Sequence, residues 1–332
     1  MSNVVEVTRG ATVESRHIVH VAVAHANRGL IASCGEARHV SFVRSAIKMF
    51  QALPLAEDDV ITGLALTTEE LALCTASHNG EPFHVVAARS ILAKADVTDD
   101  ALACGPHAPM FAPAAEALER SGVTPGRIHN NCSGKHAGML ALARRHGWPA
   151  EGYHRAAHPV QQRVLRTLCS WTGVEPSAIG LAVDGCGLPT FALPLERAAV
   201  ACARLAAAAA SGGPAATIVR AMTTHPEFVA GTGRLCTELM RAAGGRVFAK
   251  VGAEGYYCAG VPEQGLGIAL KVADGARRAS EPALLAVLHE LSVLSASELG
   301  RLQAFAQPVI TNTRGETVGS IRPRVALTPG SP

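Results

Sequence analysis

The chain has 332 residues, 48% of them hydrophobic and 17% charged, with a net charge of +3, which is the range of a compact globule with one large core or two merged lobes. Charges of both signs are scattered and no basic block is interleaved with aromatics, so nucleic acid is not an expected partner. No apolar run approaches the roughly 20 residues that span a bilayer, and "MSNVVEVTRG" lacks a basic-then-apolar leader, so a cytoplasmic protein is expected.

In chain order, residues 17–26 ("HIVHVAVAHA") alternate and favour β structure. "NRG" is a turn and "LIASCGEA" a second strand, giving a predicted hairpin. "VRSAIKMFQALPLAE" then turns helical, with Ser45 at the start and Ile47, Phe50 and Leu53 at helical spacing. Further helices are predicted near 82–94, 111–121, 134–146, 158–173, 196–210 and 214–222, with "SGGPAAT" (211–217) as a loop. The alanine-rich run 198–210 carries Arg204 and is too short for a membrane span. After residue 244, "RVFAKVGAEGYYCAGVPEQGLGIALKVADG" reads as three strands. "EPALLAVLHELSVLSASELGRL" is an amphipathic helix, and "PVITNTRGETVGSIRPRV" closes with a hairpin about "RGE". Terminal strands must meet in one sheet to bury their faces, with the last helix packed on it. The expected class is α+β: a single domain, with a sheet lobe from about 1–40 and 244–330 and a helical lobe from about 45–243.

Nine widely spaced cysteines, an odd number, read mostly as small buried hydrophobes in a reducing compartment. Cys132 and Cys186 stand apart, because "HNNCSGKHAGML" (129–140) and "DGCG" (184–187) are polar and glycine-rich. Cys132 and Lys135 lie one helical turn apart, His136 is also in reach, and "DGCG" can bring Cys186 from a strand end. Two thiolates are good zinc ligands, and from the residues alone His136 is the more ordinary third ligand. The plainer alternative is a capped helix start with a buried cysteine.

Three further motifs carry chemistry. "RSAIK" holds Ser45 and Lys48 three residues apart at a predicted helix start. A serine hydroxyl needs a base to become a nucleophile. A lysine serves as that base only when neutral, although its amine is ordinarily protonated up to about pH 10.4. The helix start would help hold an oxyanion. Alone this motif is weak, since a serine at a helix start with an exposed lysine three residues later is common. "TASHNGE" adds Ser77, His78 and Asn79 on a loop before a helix, and "AKVGAEG" adds Lys250 at a strand end, followed by glycines that let a substrate approach the backbone. S-x-x-K, S-x-N and K-x-G in this order resemble the layout of penicillin-recognising serine enzymes. The departures are His78 in place of Asp, a shorter gap from Ser45 to Ser77, and valine after Lys250.

"RSAIKMFQALP", "TASHNGE", "HNNCSGKHAGML", "DGCGLPTFALPL" and "KVGAEGYY" together resemble the Rhizobium-type, class 3 or thermolabile, L-asparaginases, from about residue 5 to about 325. The resemblance implies a serine β-lactamase-like fold shared with glutaminases, hydrolysis of L-asparagine to L-aspartate and ammonia, and a homodimer. It implies Ser45 as nucleophile with Lys48 as its base, and Ser77 with Lys250 as a second pair. It also implies zinc on Cys132, Lys135 and Cys186 beside the pocket, with Asp184 a nearby carboxylate. His136, Asn79 and Arg44 are further candidates for the substrate's polar groups, Arg44 against the plain alternative of a solvated arginine. Other readings are a glutaminase or another amide or ester hydrolase on the same fold, and a zinc-stabilised binding protein without catalysis. The last leaves two serine–lysine pairs unexplained.

Overall fold

The structure, a computed structural model, describes residues 3–330. Strands β1 (Asn3–Arg9), β2 (Thr12–His25), β3 (Gly29–Cys34) and β4 (Val40–Phe42) come first, and a 3-10 turn over Arg44–Ile47 follows. Helices α1 (Lys48–Glu57), α2 (Val60–Gly63), α3 (Thr68–Cys74), α4 (Pro82–Lys94), α5 (Ala112–Arg120), α6 (Ser133–His146) and α7 (Pro159–Thr172) come next. A short hairpin of β5 (Gly180–Val183) and β6 (Pro189–Pro194) leads to α8 (Leu195–Ser211), α9 (Gly213–Thr224), α10 (Pro226–Val229) and α11 (Leu235–Ala242). The chain ends with β7 (Phe248–Val251), β8 (Tyr256–Val261), β9 (Leu266–Val272), α12 (Arg277–Glu290), α13 (Ala296–Arg301), α14 (Gln303–Ala306), β10 (Val309–Thr311), β11 (Thr317–Val325) and β12 (Thr328–Pro329).

The chain divides into two compact units. One takes the residues up to Ala46, Leu193–Ala207 and those from Glu238 onward. Its strands run in the order β10-β11-β1-β2-β9-β8-β7, with β3 and β12 branching from β2. The terminal strands thus meet in one antiparallel sheet, as their need for mutual burial predicts. The 14-residue β2 makes the sheet curl. Its first half pairs with β1, and its second half lies between β3 and β9. Every residue of β7, β8 and β9 is buried, so both faces are covered here. Helix α12 packs on β11, β9 and β2. Helix α8 lies so close over β9 that a Cβ on Gly267 would stand 2.1 Å from Ala203 N.

The other unit comprises Ile47–Ala192 and Ala208–Thr237. Its centre is α6, buried continuously from Ser133 to Ala143 and packed against α1, α3, α4 and α7. A helix buried all round has no polar stripe, and α6 has none. Gly134 and Gly138, one turn apart, open a groove for the end of α3. A Cβ at Gly134 would meet Leu73 O at 2.4 Å, and one at Gly138 would meet Cys74 Sγ at 2.7 Å.

Several predicted boundaries move. The first α-helix starts at Lys48 rather than at Ser45, which lies in the 3-10 turn. The helix expected over 281–302 is two, because Ser292 turns left-handed (φ 57°) and a Ser295–Glu298 capping box restarts the chain at α13. The loop expected over 211–217 shrinks to Gly212 (φ 102°), with α9 opening on Gly213-Pro214. Strands β1 and β4 and helices α3 and α11 were not foreseen, and the strand expected to end at "DGCG" is one arm of the β5–β6 hairpin.

Candidate active site

The turn bearing Ser45 belongs to the sheet unit. Arg44 precedes it with φ 49°, a left-handed conformation that costs a non-glycine residue about 1 kcal/mol or more. Gly252, just past β7, explains how the turn settles: a Cβ there would stand 3.0 Å from Val43 O and 3.2 Å from Ala46 Cβ. This glycine therefore serves a close approach of the chain to itself, where the sequence suggested room for substrate. Lys250 sits on β7 two residues earlier, fully buried, with Nζ donating to Val251 O at 2.8 Å. Ser45 and Arg44 are half-buried.

The helical unit gathers most of the other candidates. Lys48, the first residue of α1, has no exposed surface. Its Nζ donates to Ser77 Oγ at 2.9 Å, Ala76 O at 2.5 Å and Cys132 Sγ at 3.1 Å. Lys48 thus joins Ser77 directly, a bond that crosses the two serine–lysine pairs implied by the resemblance. Burial lowers the proton affinity of Lys48, Lys135 adds to this, and Cys132 and Cys186 oppose it. The serine loop is placed by α3, whose Thr67–Glu70 capping box starts the helix and whose last residues seat in the Gly134–Gly138 groove.

Cys132 is the N-cap of α6, and Lys135 follows one turn later. Cys186 sits at the tip of the β5–β6 hairpin, where Asp184 N donates to Leu188 O and Gly187 N donates to Asp184 O, each at 2.8 Å. Lys135 Nζ reaches Cys186 Sγ at 3.1 Å, and Cys186 Sγ stands 3.9 Å from Asp184 Oδ2. A hydrogen bond from Cys186, with Lys48 and Lys135 close by, pulls Cys132 well below the ordinary thiol range despite its burial. The same bond and burial push Cys186 up. Burial works against a charge on Lys135, but Cys132, Cys186 and Asp184 outweigh it and hold the amine protonated.

Could this cluster hold a metal? Among the described residues no group of three or more His, Cys, Asp or Glu side chains is arranged to bind one, so the nitrogen donor beside the two thiols is Lys135. Ligands on a tetrahedral zinc stand about 3.6 Å apart, about half an ångström wider than the Lys135–Cys186 spacing. Two sulfurs and an amine fit such an ion once thiol and ammonium release their protons. His136, the third ligand favoured by the residues alone, turns elsewhere: its Nδ1 meets Tyr153 Oη at 2.6 Å and its Nε2 has no partner among the described residues.

Asn79 is buried with both ends of its amide engaged: Nδ2 donates to Thr232 O at 3.0 Å, and Oδ1 accepts from Arg234 at 2.8 Å. Two features escaped the sequence. One is the Lys48–Cys132 contact, which no spacing signals. The other is Glu81, which accepts from Thr232 N and Oγ1 and ties the loop down. As expected, eight of the nine cysteines are buried, Cys169 being half-buried.

A family model described as L-asparaginase II matches residues 5–323. The chain belongs to the L-asparaginase II family. The asparaginase is thus a hydrolase of an amide in a small-molecule substrate, and the resemblance read from its motifs stands. Comparison with curated proteins gives no significant match. Among its described residues, no helix is long and apolar enough to cross a membrane.

Proposed function

We propose that this asparaginase hydrolyses L-asparagine through a covalent acyl-enzyme, with Ser45 as nucleophile and Lys48 as general base, in a single β lactamase-like domain that forms a cytoplasmic homodimer. The observation that carries the reading is Lys48 itself: a fully buried amine of lowered proton affinity at the start of α1, three residues after Ser45. Ser45 Oγ attacks the side-chain amide carbon and its proton passes to Lys48, which acts as base once it has given up one of the three protons its Nζ directs at Ser77, Ala76 and Cys132. The C–O bond forms, the tetrahedral oxyanion collapses, and the C–N bond breaks as ammonia takes a proton relayed through Ser77 and Lys250. Water then cleaves the ester to release L-aspartate. Asp184 and Arg44 suit the α-ammonium and α-carboxylate of the substrate, and His136 and Asn79 complete the polar wall. Cys132, Lys135 and Cys186 would hold zinc beside this pocket. Bound there, zinc would supply positive charge and fix the start of α6 to the β5–β6 hairpin. In this mechanism the nucleophile is a serine, so no metal-bound water is required.

A second reading has Ser77 as the nucleophile, and the 2.9 Å Lys48–Ser77 bond favours it. Mass analysis of an acyl adduct trapped by acid quenching separates the two. Modification of the peptide containing Ser45, with turnover abolished in a folded Ser45→Ala variant, supports the proposal. An adduct on Ser77 replaces it. Chelation tests the metal's part: KM should rise more than kcat falls. A kcat lost as completely as in Ser45→Ala, with KM kept, would mean the metal generates the attacking species.

A further inference from the structure

The serine loop carries a histidine that the mechanism above leaves unused. His78 follows Ser77 and has no exposed surface. Gly80 N donates to His78 Nδ1 at 3.0 Å. A backbone N–H can only donate, so Nδ1 is the acceptor and Nε2 bears the hydrogen. That hydrogen is directed at Ser133 Oγ, 2.9 Å away at the start of α6. His84 repeats the pattern: Glu81 N donates to its Nδ1 at 3.1 Å, and its Nε2 donates to Glu227 O at 2.9 Å. The two rings stack, with centroids 4.8 Å apart and planes 16° from parallel.

The backbone around Ser77 is tied on every side. Ser77 N donates to Val229 O and His78 N to Asn131 O, each at 3.0 Å. Gly80, at φ 75°, closes the loop where a Cβ would press on Pro109 Cα at 3.0 Å and His129 O at 3.1 Å. These bonds fix the main chain. The imidazole adds a rigid link between the inner edge of the loop and α6, the helix whose N-cap is Cys132. No other side chain offers this combination. Asparagine reaches Gly80 N but falls short of Ser133, and glutamine reaches Ser133 but does not present an acceptor at the δ position.

We infer that His78 is a positioning residue: through the Gly80–His78–Ser133 chain it holds the Ser77 hydroxyl at its place on Lys48 Nζ. The inference rests on the reading that Ser77 belongs to the reacting machinery. Misplacing a reacting group by about 1 Å lowers rate by up to about 100-fold without altering substrate affinity.

Steady-state ammonia release by the full-length protein is the test. His78→Asn keeps only the Gly80 bond, His78→Gln only the Ser133 bond, and Ser133→Ala removes the acceptor. Each should lower kcat about 10- to 100-fold while KM stays within about threefold. In a Ser77→Ala background, adding His78→Asn should lower the residual kcat no further, since there is then no hydroxyl to position. A merely structural histidine would show additive losses, or losses that follow thermal stability. Turnover at the parent level in Ser77→Ala would remove Ser77 from the machinery and overturn the reading beneath the inference. A strong loss in Ser77→Ala with unchanged kcat in the His78 variants would overturn the inference alone. Should the His78 variants fail to fold, Ser133→Ala decides: an unchanged kcat there refutes the positioning role.

Discussion

Replacing Gly134 by alanine tests how the packing of α6 places the site. The added Cβ would lie 2.4 Å from Leu73 O and 2.5 Å from Leu73 Cγ, inside any real contact distance. Ordinary carbon contacts lie at about 3.5 Å, so α3 must withdraw by about 1 Å. The substitution has one benefit, a gain of about 0.5–1 kcal/mol from putting alanine for glycine inside a helix. Overpacking of this kind costs about 1–3 kcal/mol, and here the obstacle includes a backbone carbonyl that no rotamer change can move. The net expectation is destabilisation by about 1–2 kcal/mol, read as a Tm lowered by a few degrees. Activity should suffer more. Leu73 is followed within four residues by Ser77, and α3 carries that loop toward Lys48. A shift of about 1 Å there predicts a fall in kcat of up to about 100-fold. Ammonia release and a thermal melt on the same sample measure both. Gly134→Ala that melts at or above the parent temperature with full turnover would refute the close approach and the coupling inferred from it.

Two other outcomes follow from the same structure. Lys48→Met removes a buried donor and leaves Ala76 O unpaired, at about 1–3 kcal/mol, but it also relieves the burial of an amine. Stability should therefore change by less than about 3 kcal/mol while kcat falls by at least about 10²-fold, and a variant that keeps turnover within threefold would show that Lys48 is not the base. Glu298 accepts from Ser295 N and Oγ and pairs with Arg246, and these bonds lower its carboxyl from 4.5 to about 2. A depressed carboxylate stabilises the fold fully above its unfolded value and loses that contribution as pH falls toward its folded value. Glu298→Gln should thus lower Tm by about 1–3 °C at pH 7, with the gap to the parent closing between about pH 4.5 and pH 2. A gap of constant size across that range would refute the assignment.

Some of this protein is legible in the chain alone. Alternation marked the later half of β2, and the turn runs "GAEG" and "PEQG" marked off β7, β8 and β9, which are buried on both faces and show no period-2 pattern. The predicted ranges 82–94, 134–146 and 158–173 match α4, α6 and α7 nearly to the residue. The long motifs around Ser45, Ser77, Cys132, Cys186 and Lys250 identified the family, since each is a local run whose residue types survive without knowledge of the fold. Strand β5 was legible only as a strand end at "DGCG", because its four residues are all exposed and carry no alternation of burial to read. The capping box that ends one helix and starts α13 was present as "SASE", but the apolar periodicity running through it masked the break. What no local pattern holds is which side chains meet. Lys48 is three residues from Ser45, yet the hydroxyl its amine is seen to bond belongs to Ser77, brought in by the seating of α3 on two glycines of α6. Lys135 rather than His136 reaches Cys186, because the β5–β6 hairpin delivers the thiol to one side of α6 while Tyr153 takes the imidazole on another. Those choices depend on distances between elements far apart in sequence, and such distances are set by how closely backbones can approach, so only the tertiary structure decides them.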